Sequence, residues 1–235
     1  FLSGSLTGVF LGFARTEFAA VLSVTPAGSS VYAATGSASA VSCGRVSYAL
    51  GLNGPCATYD TACSAALVAC HAGLRALQLS ECTAGLVAGV MLMFTPDVAN
   101  SFAIAGMTSA RGRSHTFDVR ADGYARAEAC GAAALAYRPA AEVQGLGVSG
   151  CAVRQDGKSA SLTAPNGQAQ KGVLVAALGD AGTVADMLVL NEAHGTGTAL
   201  GDPIEAGSLR AAVVTSRDKA PSPLIVGGIK ANIGH

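Results

Sequence analysis

The stretch Tyr59-Asp60-Thr61-Ala62-Cys63-Ser64-Ala65-Ala66-Leu67 places a thiol between a strand-like segment, Cys56–Tyr59, and a run in which Leu67, Cys70, Leu74 and Leu77 recur at helical spacing. That pattern predicts Cys63 near a helix N-terminus. There, unpaired backbone N–H groups and the positive end of the helix dipole favour a thiolate, the nucleophilic form. Position alone assigns no chemistry, because an unpaired cysteine most often acts as a small core hydrophobe. Two further stretches change the balance: Glu192-Ala-His194-Gly-Thr196-Gly-Thr198 and Lys230-Ala-Asn232-Ile-Gly-His235. One cysteine and two glycine-flanked histidines suggest a site. His71 and His115 have no such surroundings and are left out of it.

Composition limits what such a site can belong to. The chain has 235 residues, half of them apolar, which is enough for one large domain or two small ones with a substantial core. Charged residues make up 13%, about half the usual share, so much of the surface is expected to be buried internally or in an oligomer. Fifteen basic residues balance fifteen acidic ones, and no nucleic-acid or anionic-membrane partner follows from net charge. The seven cysteines never form the close pairs of zinc or redox motifs, so no metal is expected and a reducing compartment is favoured over a secreted disulfide scaffold. The chain begins at Phe1 with no targeting pattern, and reads as a piece of something longer. The uncharged run from Phe18 to Gly44 is interrupted by Pro26, Gly28 and Gly36, which makes it a poor membrane span.

Strand and helix signals alternate along the chain. Leu6–Phe13 predicts a buried strand, Thr16–Val24 a short helix closed by Pro26, Ser37–Leu50 a buried helix, and Cys56–Tyr59 a short buried strand. Ala84–Phe94 suits a central strand covered on both faces, and Thr95-Pro96-Asp97 starts a helix with proline at its favoured first position. Arg111–Glu128 lacks periodicity and is expected to be a surface loop. Gly131–Tyr137 and Leu146–Val153 predict strands, Lys171–Leu178 a helix, and Met187–Asn191 and Leu224–Gly228 strands that lead into the two histidine motifs. In α/β sheets ligands bind beyond the carboxyl ends of strands, where both motifs would fall.

With those motifs in order, the chain resembles the ketosynthase domain of type I polyketide synthases, within the β-ketoacyl synthases. The likeness rests on Asp60-Thr-Ala-Cys63-Ser, Glu192-Ala-His194-Gly-Thr-Gly-Thr-Ala-Leu-Gly201-Asp202-Pro-Ile-Glu205 and Lys230-Ala-Asn-Ile-Gly-His235. Tyr32-Ala-Ala-Thr-Gly36, Gly44-Arg45-Val-Ser-Tyr, Thr116-Phe-Asp118, Ala121-Asp-Gly-Tyr124 and Ala164-Pro-Asn-Gly167 extend it over nearly the whole chain. The resemblance implies a thiolase-like α/β fold of duplicated βαβαβ halves in α-β-α-β-α layers, here only its middle. Residues 1–145 would be the half carrying the nucleophile and 146–235 the start of the half carrying both histidines.

It further implies that Cys63 accepts the acyl group, since a thiolate can both attack a thioester and later leave. His194 and His235 would donate hydrogen bonds to the extender's thioester carbonyl during loss of carbon dioxide. Lys230 would hold the site's electrostatics with Asp202 and Glu205; a helix start with acids in its first turn is the structural role set beside that for Gly201–Glu205. Thr196 and Thr198 would contact the phosphopantetheine arm of an acyl carrier protein, and a homodimer is implied, with no bound cofactor, nucleic acid or membrane. Two departures stand out: Ala65-Ala66 where serines are common, and Ala127-Glu128-Ala129 for a usual Gly-Glu-Gly, which would strain a turn needing positive φ. A decarboxylating condensing enzyme of polyketide or fatty-acid elongation is the expected activity, in the cytoplasm or a plastid. A non-catalytic segment for dimerisation or carrier docking is the alternative, and a thiolase or cysteine hydrolase would not call for the second histidine motif.

Overall fold

A computed structural model describes residues 2–14, 17–138 and 145–235. They divide into two compact units, Phe1–Val98 with Glu128–Leu146, and Ala99–Ala127 with Gly147–His235.

The first unit is built on β1 (Thr7–Gly12), every residue of which is buried. With β2 (Cys56–Tyr59), β3 (Ala84–Met91) and β4 (Ala129–Ala136) it makes a sheet of order β2-β1-β3-β4. β1 runs parallel to both neighbours and β4 is antiparallel to β3. Its helices are α1 (Phe18–Ser23), α2 (Ala33–Ser37), α3 (Ser39–Leu50) and α4 (Ala65–Gln78); α5 (Pro96–Ile104) follows β3 and has only its first residues, to Val98, in this unit. Side chains alternate across a strand, so β1 feeds two cores. Val9 and Leu11 pack with Cys43 and Leu52 on one face, and Phe10 packs with Ala69, Ala76, Leu77, Cys82 and Val87 on the other. Each large side chain buried this way contributes about 1.5–3 kcal/mol.

The expected strands and helices of this unit form, with three corrections. β2 lies at the sheet edge with Cys56 exposed, and is not a buried strand. In α3 only Cys43 is fully buried. The stripe of α4 that meets the sheet is Ala65, Ala69, Gly73, Ala76 and Leu77, while Leu67 is 71% exposed. The reason is close approach. A Cβ on Gly12 would lie 2.4 Å from the Ala65 carbonyl, and one on Gly89 would lie 2.8 Å from the Ala66 Cβ. Small residues on both sides let the start of α4 sit directly on β1 and β3, where leucines would hold it away. The alanines at 65 and 66 are part of that fit. The expected helix start at Thr16 falls outside the described residues.

In the second unit β5 (Leu190–Glu192) and β6 (Ile225–Gly227) form a parallel pair. α6 (Gly167–Asp180) is capped by the Asn166 side chain, which accepts from the Gln168 and Ala169 N–H groups. α7 (Gly201–Ala212) packs through Leu209 and Ala212, with Val213 just past its end, onto Ala185, and Leu174 and Leu178 of α6 lie beside them. α8 (Lys230–Ile233) follows β6. Two expectations are corrected here. Residues 146–153 form no strand, with Leu146 fully exposed, because no described residue offers them a ladder partner. Within Arg111–Glu128, Ser114 is 1% exposed and Tyr124 8%, so this irregular segment is anchored in the unit and is no mere surface loop. Its anchors are the Thr108–Tyr124 bridge and the bond from the Ala125 N–H to the Ser114 hydroxyl.

Candidate active site

In the first unit the chain leaves β2 at Tyr59 and turns sharply before α4. The Asp60 carboxylate accepts from the Ala62 N–H at 3.2 Å, and Ser64 Oγ donates to the Thr61 carbonyl at 3.0 Å. Residues Ala62–Ser64 form one 3₁₀ turn, so exposed Cys63 stands just ahead of α4, not inside its first turn. Ala62 sits at φ 52°, a left-handed conformation that costs a non-glycine residue about 1 kcal/mol or more. The rigid seat of α4 on Gly12 and Gly89 maintains this strain one residue before the thiol. Asp60 two residues ahead is the sole sequence signal for such a turn; alanine gives none.

In the second unit the loop after β5 carries His194, Thr196 and Thr198, and two carboxylates of α7 hold its backbone. Glu205 accepts from the N–H groups of His194 at 2.5 Å and Gly195 at 2.8 Å. Asp202, 3% exposed, accepts through Oδ1 from Gly197 at 3.1 Å and Thr198 at 3.2 Å, and through Oδ2 from Phe117 at 2.7 Å. Gly195 and Gly197 have φ 49° and 80°. A Cβ on Gly197 would meet the His115 nitrogen at 2.6 Å. Glycine is required there both for conformation and for space. Thr116 Oγ1 donates to the Gly195 carbonyl at 2.5 Å. Thr196 is buried, and Thr198 Oγ1 accepts from the Gly201 N–H at the start of α7.

His235 is clamped by two backbone bonds, its N–H to the Ala125 carbonyl at 2.7 Å and its carbonyl from the Ala127 N–H at 2.8 Å. Neither Ala127 nor Ala129 has positive φ, so their departure from glycine strains nothing. The imidazole stacks edge-on against Tyr124 at 5.1 Å and against His194 at 5.3 Å, the two histidine rings lying at 89°. Glu192 Oε1 accepts from the Ile229 N–H at 2.7 Å, which ties the end of β5 to the segment before α8.

His194 keeps part of its surface open to solvent, yet desolvation by the protein packed around its ring lowers its pKa, reinforced by the Lys230 ammonium and opposed by Glu205 and Asp202. Burial, then His194 and Lys230, push His235 down to about 4. Both rings are therefore neutral near pH 7, each with one N–H to donate. Among the described residues Lys230 makes no ion pair. The structure thus brings His194, His235, Lys230, Asp202 and Glu205 together in one unit, with Thr196 and Thr198 on the same loop; Cys63 belongs to the other unit. Sequence reasoning assigned no role to Thr116, Phe117, Tyr124 or Glu192. Thr116-Phe-Asp118 and Ala121-Asp-Gly-Tyr124 stood out only as motifs.

Two family models account for the chain: β-ketoacyl synthase, N-terminal domain, over residues 2–141, and β-ketoacyl synthase, C-terminal domain, over residues 147–235. The chain belongs to the β-ketoacyl synthase family. It is 43% identical to erythronolide synthase EryA3 of Saccharopolyspora erythraea, over 100% of this chain and 8% of that protein. It is 42% identical to the spectinabilin polyketide synthase system protein NorC of Streptomyces orinoci, over 99% of this chain and 10% of that protein. Among solved structures it matches the ketosynthase from module 6 of the bacillaene synthase of Bacillus subtilis 168 with TM-score 0.88 and 33% identity, over all of this chain and 40% of that one. The oxazolomycin ketosynthase domain of Streptomyces albus matches with TM-score 0.86 and 34% identity, and 42% of it is covered. The fold is that of ketosynthase domains, thiolase-like, of which this chain spans about two fifths. Among the described residues no helix is long and apolar enough to cross a membrane.

Proposed function

We propose that this chain is the central part of a ketosynthase that joins acyl units by decarboxylative Claisen condensation. The observation that carries the reading is the pair of neutral, mutually perpendicular imidazoles, each held through its main-chain amide. In a β-ketoacyl synthase such donors suit the oxygen that becomes negative as a malonyl-type thioester loses carbon dioxide. A neutral ring keeps one N–H, which it can aim at the oxygen where negative charge develops, and adds no second full positive charge beside Lys230. Cys63 takes the acyl group from its thioester, the carrier thiol leaves, and the enolate then attacks the acyl-Cys carbonyl and releases the Cys63 thiolate. Lys230 supports the site by its charge, which disfavours protonation of both rings. Asp202 and Glu205 position the His194 loop through its amides.

The substrates arrive on the phosphopantetheine of an acyl carrier protein, with Thr196 and Thr198 on the arm's path. The working protein is a cytoplasmic homodimer, with residues 1–145 contributing to one thiolase-like half of the sequence and 146–235 to the other. The relatives named above are bacterial, which gives a plastid no support.

The test separates the steps in the full-length polypeptide. His235→Ala should lower carbon dioxide release from malonyl-carrier by roughly two to three decades, the usual effect of losing one such donor, while acyl transfer onto Cys63 largely survives. Cys63→Ala should abolish acyl transfer and leave some decarboxylation. If His235→Ala stops acylation yet spares carbon dioxide release, the role given to that ring is wrong.

A further inference from the structure

Thr116 stands between the two loops that carry the imidazoles, and both branches of its side chain are engaged. The hydroxyl donates to the Gly195 carbonyl, one residue after His194, at 2.5 Å. The methyl faces two glycines. A Cβ on Gly195 would lie 2.6 Å from Thr116 Cγ2, and one on Gly228 would lie 2.7 Å from the same atom, with nothing nearer to it than Thr116. Carbon atoms pack at about 3.5–4.0 Å, so the methyl fills the slot that the two missing side chains leave. Gly195 lies in the loop after β5, whereas Gly228 is the corner between β6 and α8, its carbonyl accepting from the Ala231 N–H at 3.0 Å. α8 begins at Lys230 and the chain then runs on to His235. Thr116 is itself held on both sides. Buried Ser114 accepts through its hydroxyl from the Ala125 N–H at 3.0 Å, and the Ala125 carbonyl accepts from the His235 N–H. The Phe117 N–H donates to Asp202, the carboxylate that holds the amides of Gly197 and Thr198.

We infer that Thr116 is a positioning residue of the condensing reaction: its hydroxyl fixes the His194 loop, and its methyl keeps that loop and the Gly228 corner at the spacing that sets the two rings at right angles. It touches no substrate and acts through the imidazoles. The inference rests on the condensing reading above, in which both rings aim at one oxygen as it becomes negative. Donors that converge on a single atom tolerate little displacement, since a misplacement of about 1 Å costs up to about a hundredfold in rate. A β-branched side chain is stiff about its first torsion, so Thr116 presents both branches from one rotamer, and no residue lacking either branch reproduces the pair of contacts. Acyl transfer onto Cys63 does not use the rings as paired donors and is spared.

The test uses the full-length polypeptide. Thr116→Val keeps the methyl and loses the hydroxyl, and should lower kcat for carbon dioxide release from malonyl-carrier about tenfold or more, with KM and acyl transfer onto Cys63 within about twofold of the parent. Thr116→Ser keeps the hydroxyl and should recover most of kcat. The methyl is tested from the opposite side. Gly228 does not have positive φ, so Gly228→Ala meets only the contact with Thr116, and should lower kcat about tenfold or more. In the Thr116→Ser background the added Cβ enters the vacated slot, and the double variant should turn over faster than Gly228→Ala alone. If Thr116→Val does not fold, the Gly228→Ala cycle decides alone. Unchanged kcat in Thr116→Val, an equal fall in acyl transfer and carbon dioxide release, a Thr116→Ser variant no better than Thr116→Val, or additive losses in the double variant would each overturn the inference. An unmutated chain that releases no carbon dioxide would instead sink the condensing reading, and this inference with it.

Discussion

Asp202→Asn tests whether one buried carboxylate holds the His194 loop. The carboxylate is 3% exposed and receives three backbone N–H groups, two on Oδ1 and one on Oδ2. Asparagine keeps one oxygen. Turned to preserve the Gly197 and Thr198 bonds, it faces its NH₂ towards the Phe117 N–H, replacing the shortest bond, 2.7 Å, by a donor against a donor. Losing a charge-assisted bond and leaving a buried donor unmade costs about 1.5–3 kcal/mol, and reducing two charged bonds to neutral ones about 0.5–1 kcal/mol each. Phe117 is held at φ 54°, a strain of about 1 kcal/mol that the parent already carries and that the weakened segment can now relax. The sum of the hydrogen-bond losses, about 2.5–5 kcal/mol, should appear as hydrogen exchange at Gly197, Thr198 and Phe117 accelerated by roughly two decades or more, since about 1.4 kcal/mol is a factor of ten. Adding Phe117→Gly removes the strain, so the double variant should lose less than the two single losses combined. Unchanged exchange at those three amides in Asp202→Asn would refute the reasoning.

Three further outcomes are expected. Limiting iodoacetamide on the folded full-length protein should label Cys63 before the other six thiols, because it alone is exposed at a strained turn leading into a helix; earlier labelling of Cys43 or Cys151 would remove the nucleophile assignment. Decarboxylation should be full near pH 7 and fall in acid as His235 protonates near 4. The same lowered pKa gives the sign for stability. From the ordinary histidine value downward the unfolded chain takes a proton the folded chain refuses, so stability is full above about pH 6.5 and declines as pH falls towards 4. His235→Asn should flatten that decline in an acid titration followed by circular dichroism, and an unchanged slope would contradict it. Finally, Gly12→Ala should destabilise by about 3 kcal/mol or more, because its Cβ would stand 2.4 Å from the Ala65 carbonyl and α4 must lift; a thermal midpoint within a degree of the parent would show that the fit is loose.

The sequence by itself determined the family and most elements of the sheet. The apolar run of β1, the glycines of the His194 loop and the three motifs are local patterns, and local patterns are set by residue type and spacing. The chemistry-bearing residues Cys63, His194 and His235 were legible for the same reason. Tertiary structure decided the rest. That α4 meets the sheet through Ala65, Ala69 and Gly73 and leaves Leu67 outside depends on how closely Gly12 and Gly89 let it approach. That 146–153 forms no strand depends on whether a partner offers hydrogen bonds, which no property of those eight residues contains. That Asp202 and Glu205 hold amides of a loop outside their own helix, and that Tyr124 backs His235, depend on residues apart in the chain. Periodicity predicts which face a side chain shares; only packing decides what stands opposite.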